Sequence, residues 1–154
     1  MDTVEGRAEG QGKHVGVVVA RWNELVTKEL LEGCLDELKR CGDPEVTVVR
    51  VPGSWEIPLV ATSLVERGEI DGIVALGCVL QGETSHAGQL SADVAGALMS
   101  LQNASGVPVA WGVLVPATQE QAFDRAGLKA GNKGREAALA LLETISVLEH
   151  LRGS

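Results

Sequence analysis

Four short runs of β-branched residues recur along this chain, and each is followed by a longer amphipathic or Ala/Leu-rich run. That alternation is the strongest constraint on its fold. His14-Val15-Gly16-Val17-Val18-Val19-Ala20-Arg21 lacks any apolar-polar alternation, so it reads as a strand buried on both faces. From Glu24 to Arg40 the apolar positions Leu25, Leu30, Leu31, Leu35 and Leu38 form a helical stripe, stopped by Gly42-Asp43-Pro44. Val46 to Val51 is a second strand, closed by Pro52-Gly53. Ser54 is placed to cap a helix from about Glu56 to Arg67, with Pro58 tolerated in its first turn. Ile70 to Leu80 is a third strand with turn-like glycines at Gly72 and Gly77. A long helix follows Gly82-Glu83-Thr84-Ser85, to about Asn103. Val107 to Val115 is the fourth strand, Thr118 to Ala126 a short helix capped by Thr118, Gly127 to Gly134 a loop, and the last helix ends near Leu151. Strands separated by helices imply right-handed crossovers and a parallel sheet covered by helices on both faces, a three-layer α/β/α sandwich with four parallel strands.

A length of 154 residues, 45% of them hydrophobic, suits one domain with a substantial core. Residues 1–11 are polar and read as a flexible arm, and 12–154 as the domain. No apolar run approaches the roughly 20 residues of a membrane span, and the first residues lack the apolar stretch of a secretion signal. The three cysteines, Cys34, Cys41 and Cys78, are expected to be buried free thiols in a reducing cytoplasm. With 13 basic and 21 acidic side chains the net charge is −8, which opposes nucleic acid and anionic lipid. An anionic ligand must then be captured by a local device.

In open parallel sheets ligands bind outside the carboxyl ends of the strands. The chain presents Arg21-Trp22-Asn23, then Pro52-Gly53-Ser54-Trp55-Glu56, then Gln81-Gly82-Glu83-Thr84-Ser85-His86 at those ends. Two of its three tryptophans fall there, in a sequence with no tyrosine and one phenylalanine; Trp111 lies within the fourth strand. An indole can simply fill a core, but two beside glycine-rich turns suggest platforms for a flat heterocycle. Asn23, Ser54 and Glu56 are suited to orient such a ligand by hydrogen bonds. The Gly82 turn opens a helix, whose free N–H groups and dipole favour an anion; ordinary capping by Thr84 or Ser85 is the plainer explanation. At that helix start the dipole favours neutral imidazole, so His86 can accept a proton near neutral pH. His14 and His150 read as surface or structural residues. Arg125, Lys129 and Lys133 place three cations within nine residues of a glycine-rich stretch. This is either a solvated loop or a device in which Arg125 forks onto a phosphate with Lys133 behind it. No His, Cys, Asp or Glu set has metal-ligand spacing, and neither metal nor cofactor is expected.

At these residues the chain resembles the lumazine synthase family, from Gly12 to Leu151. The resemblance rests on Ala20-Arg21-Trp22-Asn23, on Val51-Pro52-Gly53-Ser54-Trp55-Glu56-Ile57-Pro58, and on Leu76-Gly77-Cys78-Val79-Leu80-Gln81-Gly82-Glu83-Thr84-Ser85-His86. It continues through Pro108-Val109-Ala110-Trp111-Gly112-Val113-Leu114, Glu120-Gln121-Ala122, Arg125-Ala126-Gly127 and Gly131-Asn132-Lys133-Gly134. It implies a flavodoxin-like fold and condensation of 5-amino-6-(D-ribitylamino)uracil with 3,4-dihydroxy-2-butanone 4-phosphate, releasing phosphate and water. By this similarity Trp22 stacks on the pyrimidine. Ser54, Trp55 and Glu56 hold the ribityl chain and ring edge, and Cys78, Val79 and Leu80 read the heterocycle through their backbone. Glu83 and Thr84 match the phosphate turn, Arg125 the phosphate-binding arginine, and His86 the proton shuttle. Trp111 matches an aromatic position contributed across a subunit boundary. Family sites lie between subunits of a pentamer, and some members close twelve pentamers into a shell. Where the family usually carries two aromatics flanking an acid after the histidine, this chain has Ala87-Gly88-Gln89, and Val115-Pro116 stands in place of threonines. The other readings are a non-catalytic flavin- or lumazine-binding or shell-forming protein on the same fold, and a generic phosphosugar or mononucleotide binder.

Overall fold

A computed structural model describes residues 1–82, 86–127 and 131–153. Strand β1 (His14–Ala20) leads through helix α1 (Glu24–Arg40) to β2 (Glu45–Val51). A single 3-10 turn (Ser54–Glu56) and α2 (Ile57–Glu66) connect to β3 (Gly72–Cys78). Helix α3 (Ala87–Ser105), β4 (Val109–Leu114), α4 (Gln119–Arg125) and α5 (Lys133–Leu151) complete the chain. The four strands are all parallel, in the order β2-β1-β3-β4. Helices α1 and α5 pack together on one face, and α2 and α3 on the other. This is the three-layer, flavodoxin-like α/β sandwich expected from the alternating pattern.

The run of valines in β1 explains its central place. Val15, Val17 and Val19 enter the core beneath α1 and α5, while Val18 and Ala20 enter the core beneath α2 and α3. Burial on both faces needs a strand without polar alternation, which this one is. The edge strand β2 is different: Val48 is exposed and the strand is only half-buried.

Several local expectations change in the folded chain. Gly72 and Gly77 make no turn; both lie inside β3, where a Cβ on Gly72 would meet Leu141 at 2.7 Å and one on Gly77 would meet the Ser54 hydroxyl at 2.5 Å. They are there for close packing. Ser54 does not cap a helix: Gly53 holds that position, and Glu56 Oε1 accepts a 2.8 Å hydrogen bond from its N–H. The Ser54 side chain is buried against Gly77. The expected loop to Gly134 ends earlier, because Asn132 caps α5 by accepting from the Arg135 N–H at 3.0 Å. Thr118 caps α4 as anticipated, accepting from the Gln121 N–H at 3.1 Å.

None of the three cysteines is joined in a disulfide. Cys34 and Cys78 are buried, but Cys41 is half-buried, since it falls one residue beyond the last turn of α1. His14 plays a structural part, its Nε2 lying 2.7 Å from the Thr47 hydroxyl. Residues ahead of β1 touch the domain, with Arg7 N–H donating to Ser146 Oγ at 3.1 Å and Gly10 N–H to Cys41 O at 2.6 Å. No helix among the described residues is long and apolar enough to cross a membrane.

Candidate active site

At the carboxyl ends of β1 and β3 a cavity of about 370 Å³ opens to solvent. Its walls come from Trp22 and Asn23 after β1, Gly53, Ser54 and Trp55 after β2, Cys78 at the end of β3 with Val79 and Leu80 beyond it, and Leu90 in the first turns of α3. Such a volume suits a small heterocycle with a polar tail. The structure therefore brings six of the expected site residues to one place: Trp22, Ser54, Trp55, Cys78, Val79 and Leu80. The two indoles are 65% and 63% exposed, so neither is core filling.

Backbone accounting shows what the cavity offers a ligand. Beyond β3 the chain stays zipped to the exit of β4, with Val79 N–H donating to Leu114 O at 2.8 Å and Gln81 N–H to Pro116 O at 3.1 Å. Continuing that register, the donor to the Val79 carbonyl would be the N–H of residue 116, which proline lacks. The intervening Leu80 turns its N–H and C=O to the opposite side, beyond the end of β1, because successive residues of a strand bond to opposite neighbours. Pro116 thus bears on the backbone of Val79 at the cavity wall.

Glu56 is half-buried, with one carboxylate oxygen engaged by Gly53 N–H, and it does not line the cavity. His86 is the exposed residue preceding α3, and its carbonyl accepts from Leu90 N–H at 2.8 Å, one helical turn on. Leu90 went unnoticed in the sequence, although its spacing from His86 puts both at the same helix end. Glu83 and Thr84 lie outside the described residues.

The remaining expected residues sit elsewhere in the chain. Arg125 ends α4 and Lys133 begins α5, and an antiparallel bridge between Ala126 and Asn132 makes them neighbours at the base of one loop. The Asn132 amide closes that base by donating to Ala126 O at 3.1 Å and to Glu29 O at 2.9 Å. Arg125 is half-buried, and Lys133 Nζ lies 3.3 Å from Glu136. Trp111 is on the outer strand β4, on the far side of the sheet from β2, where it lines a separate apolar hollow of about 140 Å³ with Met99 and Leu98. Neither Trp111 nor the Arg125–Lys133 pair lines this cavity.

Fold and cavity together define a parallel α/β protein with an open cavity at its strand ends, flanked by two exposed indoles. Sequence comparison narrows the class. Residues 12–149 match the family model described as 6,7-dimethyl-8-ribityllumazine synthase. Over 149 residues the chain is 48% identical to the 6,7-dimethyl-8-ribityllumazine synthase of Thermococcus kodakarensis, covering 97% of this chain and 95% of that protein. The chain belongs to the 6,7-dimethyl-8-ribityllumazine synthase family.

Proposed function

We propose that this protein is a transferase of riboflavin biosynthesis. It condenses 5-amino-6-(D-ribitylamino)uracil with 3,4-dihydroxy-2-butanone 4-phosphate to give 6,7-dimethyl-8-ribityllumazine, phosphate and water. The observation that carries this reading is the cavity itself, an exposed indole beside the backbone of Val79 and Leu80 in a member of this family. In our assignment Trp22 stacks on the pyrimidine, Val79 and Leu80 bond its edge, and Ser54, Trp55 and Glu56 face the ribityl chain. The Glu83–Thr84 turn and Arg125 hold the phosphate, with Lys133 supporting that charge, and His86 moves protons as the amine attacks the carbonyl, the imine forms and phosphate leaves.

Holding two substrates in one orientation contributes the larger share of catalysis, potentially about 7–11 kcal/mol. Proton transfer at His86 contributes a factor of roughly 10²–10⁴. The assignment requires a second subunit, because Trp111 and the Arg125–Lys133 pair stand apart from the cavity within a protomer. A ring of five subunits, pairing or closing into a shell, is the assembly we propose, with residues 1–11 reaching a neighbour's sheet edge, in the cytoplasm. Light scattering on the intact protein and on a variant lacking residues 1–11 measures both points.

The decisive assay mixes the protein with both substrates and follows the lumazine chromophore. Formation well above the uncatalysed rate supports the enzyme. Formation at the background rate, with the ligand still bound, supports a non-catalytic binding or scaffold protein instead.

A further inference from the structure

Trp22 owes its placement to two neighbours on the cavity wall, Asn23 and Gly53. Its backbone N–H leaves the sheet register to donate to Pro52 O at 3.0 Å, extending the β1–β2 pairing past the last strand residue. Continuing the β1–β3 register of Val19 opposite Leu76, that same N–H would have served the carbonyl of Cys78. The Asn23 side chain takes over: its Nδ2 donates to Cys78 O at 2.8 Å. Asparagine before a helix ordinarily caps it. Here Asn23 makes no side-chain cap; it adopts the left-handed conformation, φ 63° and ψ 47°, and spends its amide across the sheet. Asparagine tolerates that backbone better than most residues with a side chain.

The ring itself rests on Gly53. A Cβ there would lie 2.5 Å and 2.6 Å from the Cε3 and Cζ3 carbons of Trp22. Gly53 has φ −138° and ψ 177°, open to any residue, so the glycine is required by the ring and not by the backbone.

We propose that Asn23 is a positioning residue, setting the distance between the Trp22 platform and the Val79–Leu80 backbone, with Gly53 as the seat of the ring. This rests on the reading that Trp22 stacks on the pyrimidine. Asn23 then governs one substrate selectively, since the phosphate-binding residues hang on other loops.

The test measures KM for each substrate in Asn23→Gly, which keeps the left-handed backbone and removes the amide. Asn23→Asp, which keeps shape but offers no N–H, serves as a second variant should the first fail to fold. Direct binding of the pyrimidine substrate is followed by tryptophan quenching. The expected result is a pyrimidine KM and Kd raised about fivefold to tenfold, within what loss of one neutral hydrogen bond produces, with the butanone phosphate KM within about twofold of wild type. Gly53→Ala should reproduce that selective loss with the amide bond intact. Its exposed ring can swing into solvent, so Tm should hold. Equal weakening of both substrates, or none, overturns the positioning role. Trp22→Ala measured alongside separates the levels: if it leaves pyrimidine binding unchanged, the stacking assignment fails and the positioning role with it.

Discussion

Replacing Gly134 by alanine sets two effects of opposite sign against each other. Gly134 is the second residue of α5, where helix propensity alone favours alanine by about 0.5–1 kcal/mol. The packing against α1 opposes this. A Cβ on Gly134 would point at the backbone carbonyl of Leu30, reaching within 2.7 Å of its carbonyl carbon and closer still to its oxygen. Backbone cannot rotate aside as a side chain does, so the two helices must part by roughly 1–1.5 Å to bring that oxygen back to ordinary contact. Leu30 is fully buried in the core formed with Ala138, Leu141 and Leu142, and prising that interface open by so much costs about 2–3 kcal/mol, the upper part of the overpacking range. After the propensity gain, Gly134→Ala should lose about 1–2.5 kcal/mol, a fall of roughly 2–10 °C in Tm for a chain of this length. Thermal unfolding by circular dichroism at fixed protein concentration reads it directly. A Tm equal to or above that of wild type would refute the reasoning, because it would mean that propensity outweighs the contact.

Four further outcomes follow from the same structure. Trp22→Ala should raise KM for the pyrimidine by about 5- to 150-fold, as loss of one stacked base does, while Tm barely moves because the ring is 65% exposed; a Tm drop without a KM change would contradict it. His86→Ala should slow turnover by roughly 10²–10⁴ yet leave product above background, and a correctly assembled variant with no detectable activity would contradict the division of labour between proton transfer and substrate orientation. Arg135 Nη1 lies 2.6 Å from Glu37 and 2.7 Å from Asp36, and Glu37 is largely buried, so Arg135→Gln should cost about 1–2 kcal/mol in urea unfolding; an Arg135→Gln/Glu37→Gln double variant no more stable than the single one would count against this pairing. Burial pushes the Cys34 thiol up from 9.0 to about 12, so the folded state holds a proton that the unfolded chain releases. Stability from this group is intact below pH 9 and falls as pH rises toward 12, by about 1.4 kcal/mol at pH 10. Cys34→Ala should flatten that decline, and identical pH slopes in wild type and variant would sink the attribution.

The sequence by itself determined the layers. Unbroken valines in β1, the apolar stripe of α1 and the glycine and proline stops are local patterns, and local patterns fix which segments are strands and helices. It also determined which end of the sheet carries the site, since Trp22, Ser54, Trp55 and the Cys78–Leu80 segment all follow strands directly. Thr118 was legible as a cap because cap and helix are adjacent.

Tertiary structure decided whatever depends on partners far apart in the chain. Ser54 could not be known to lie over Gly77 instead of capping, nor Asn23 to serve Cys78 some 55 residues away, until the strand order β2-β1-β3-β4 placed β3 beside β1. That same order leaves Trp111 on the opposite side of the sheet from β2, outside the lining of the strand-end cavity. Side-chain pattern reports the face a residue presents to the core. The identity of its neighbour there is set by how strands cross over, and no periodicity encodes that.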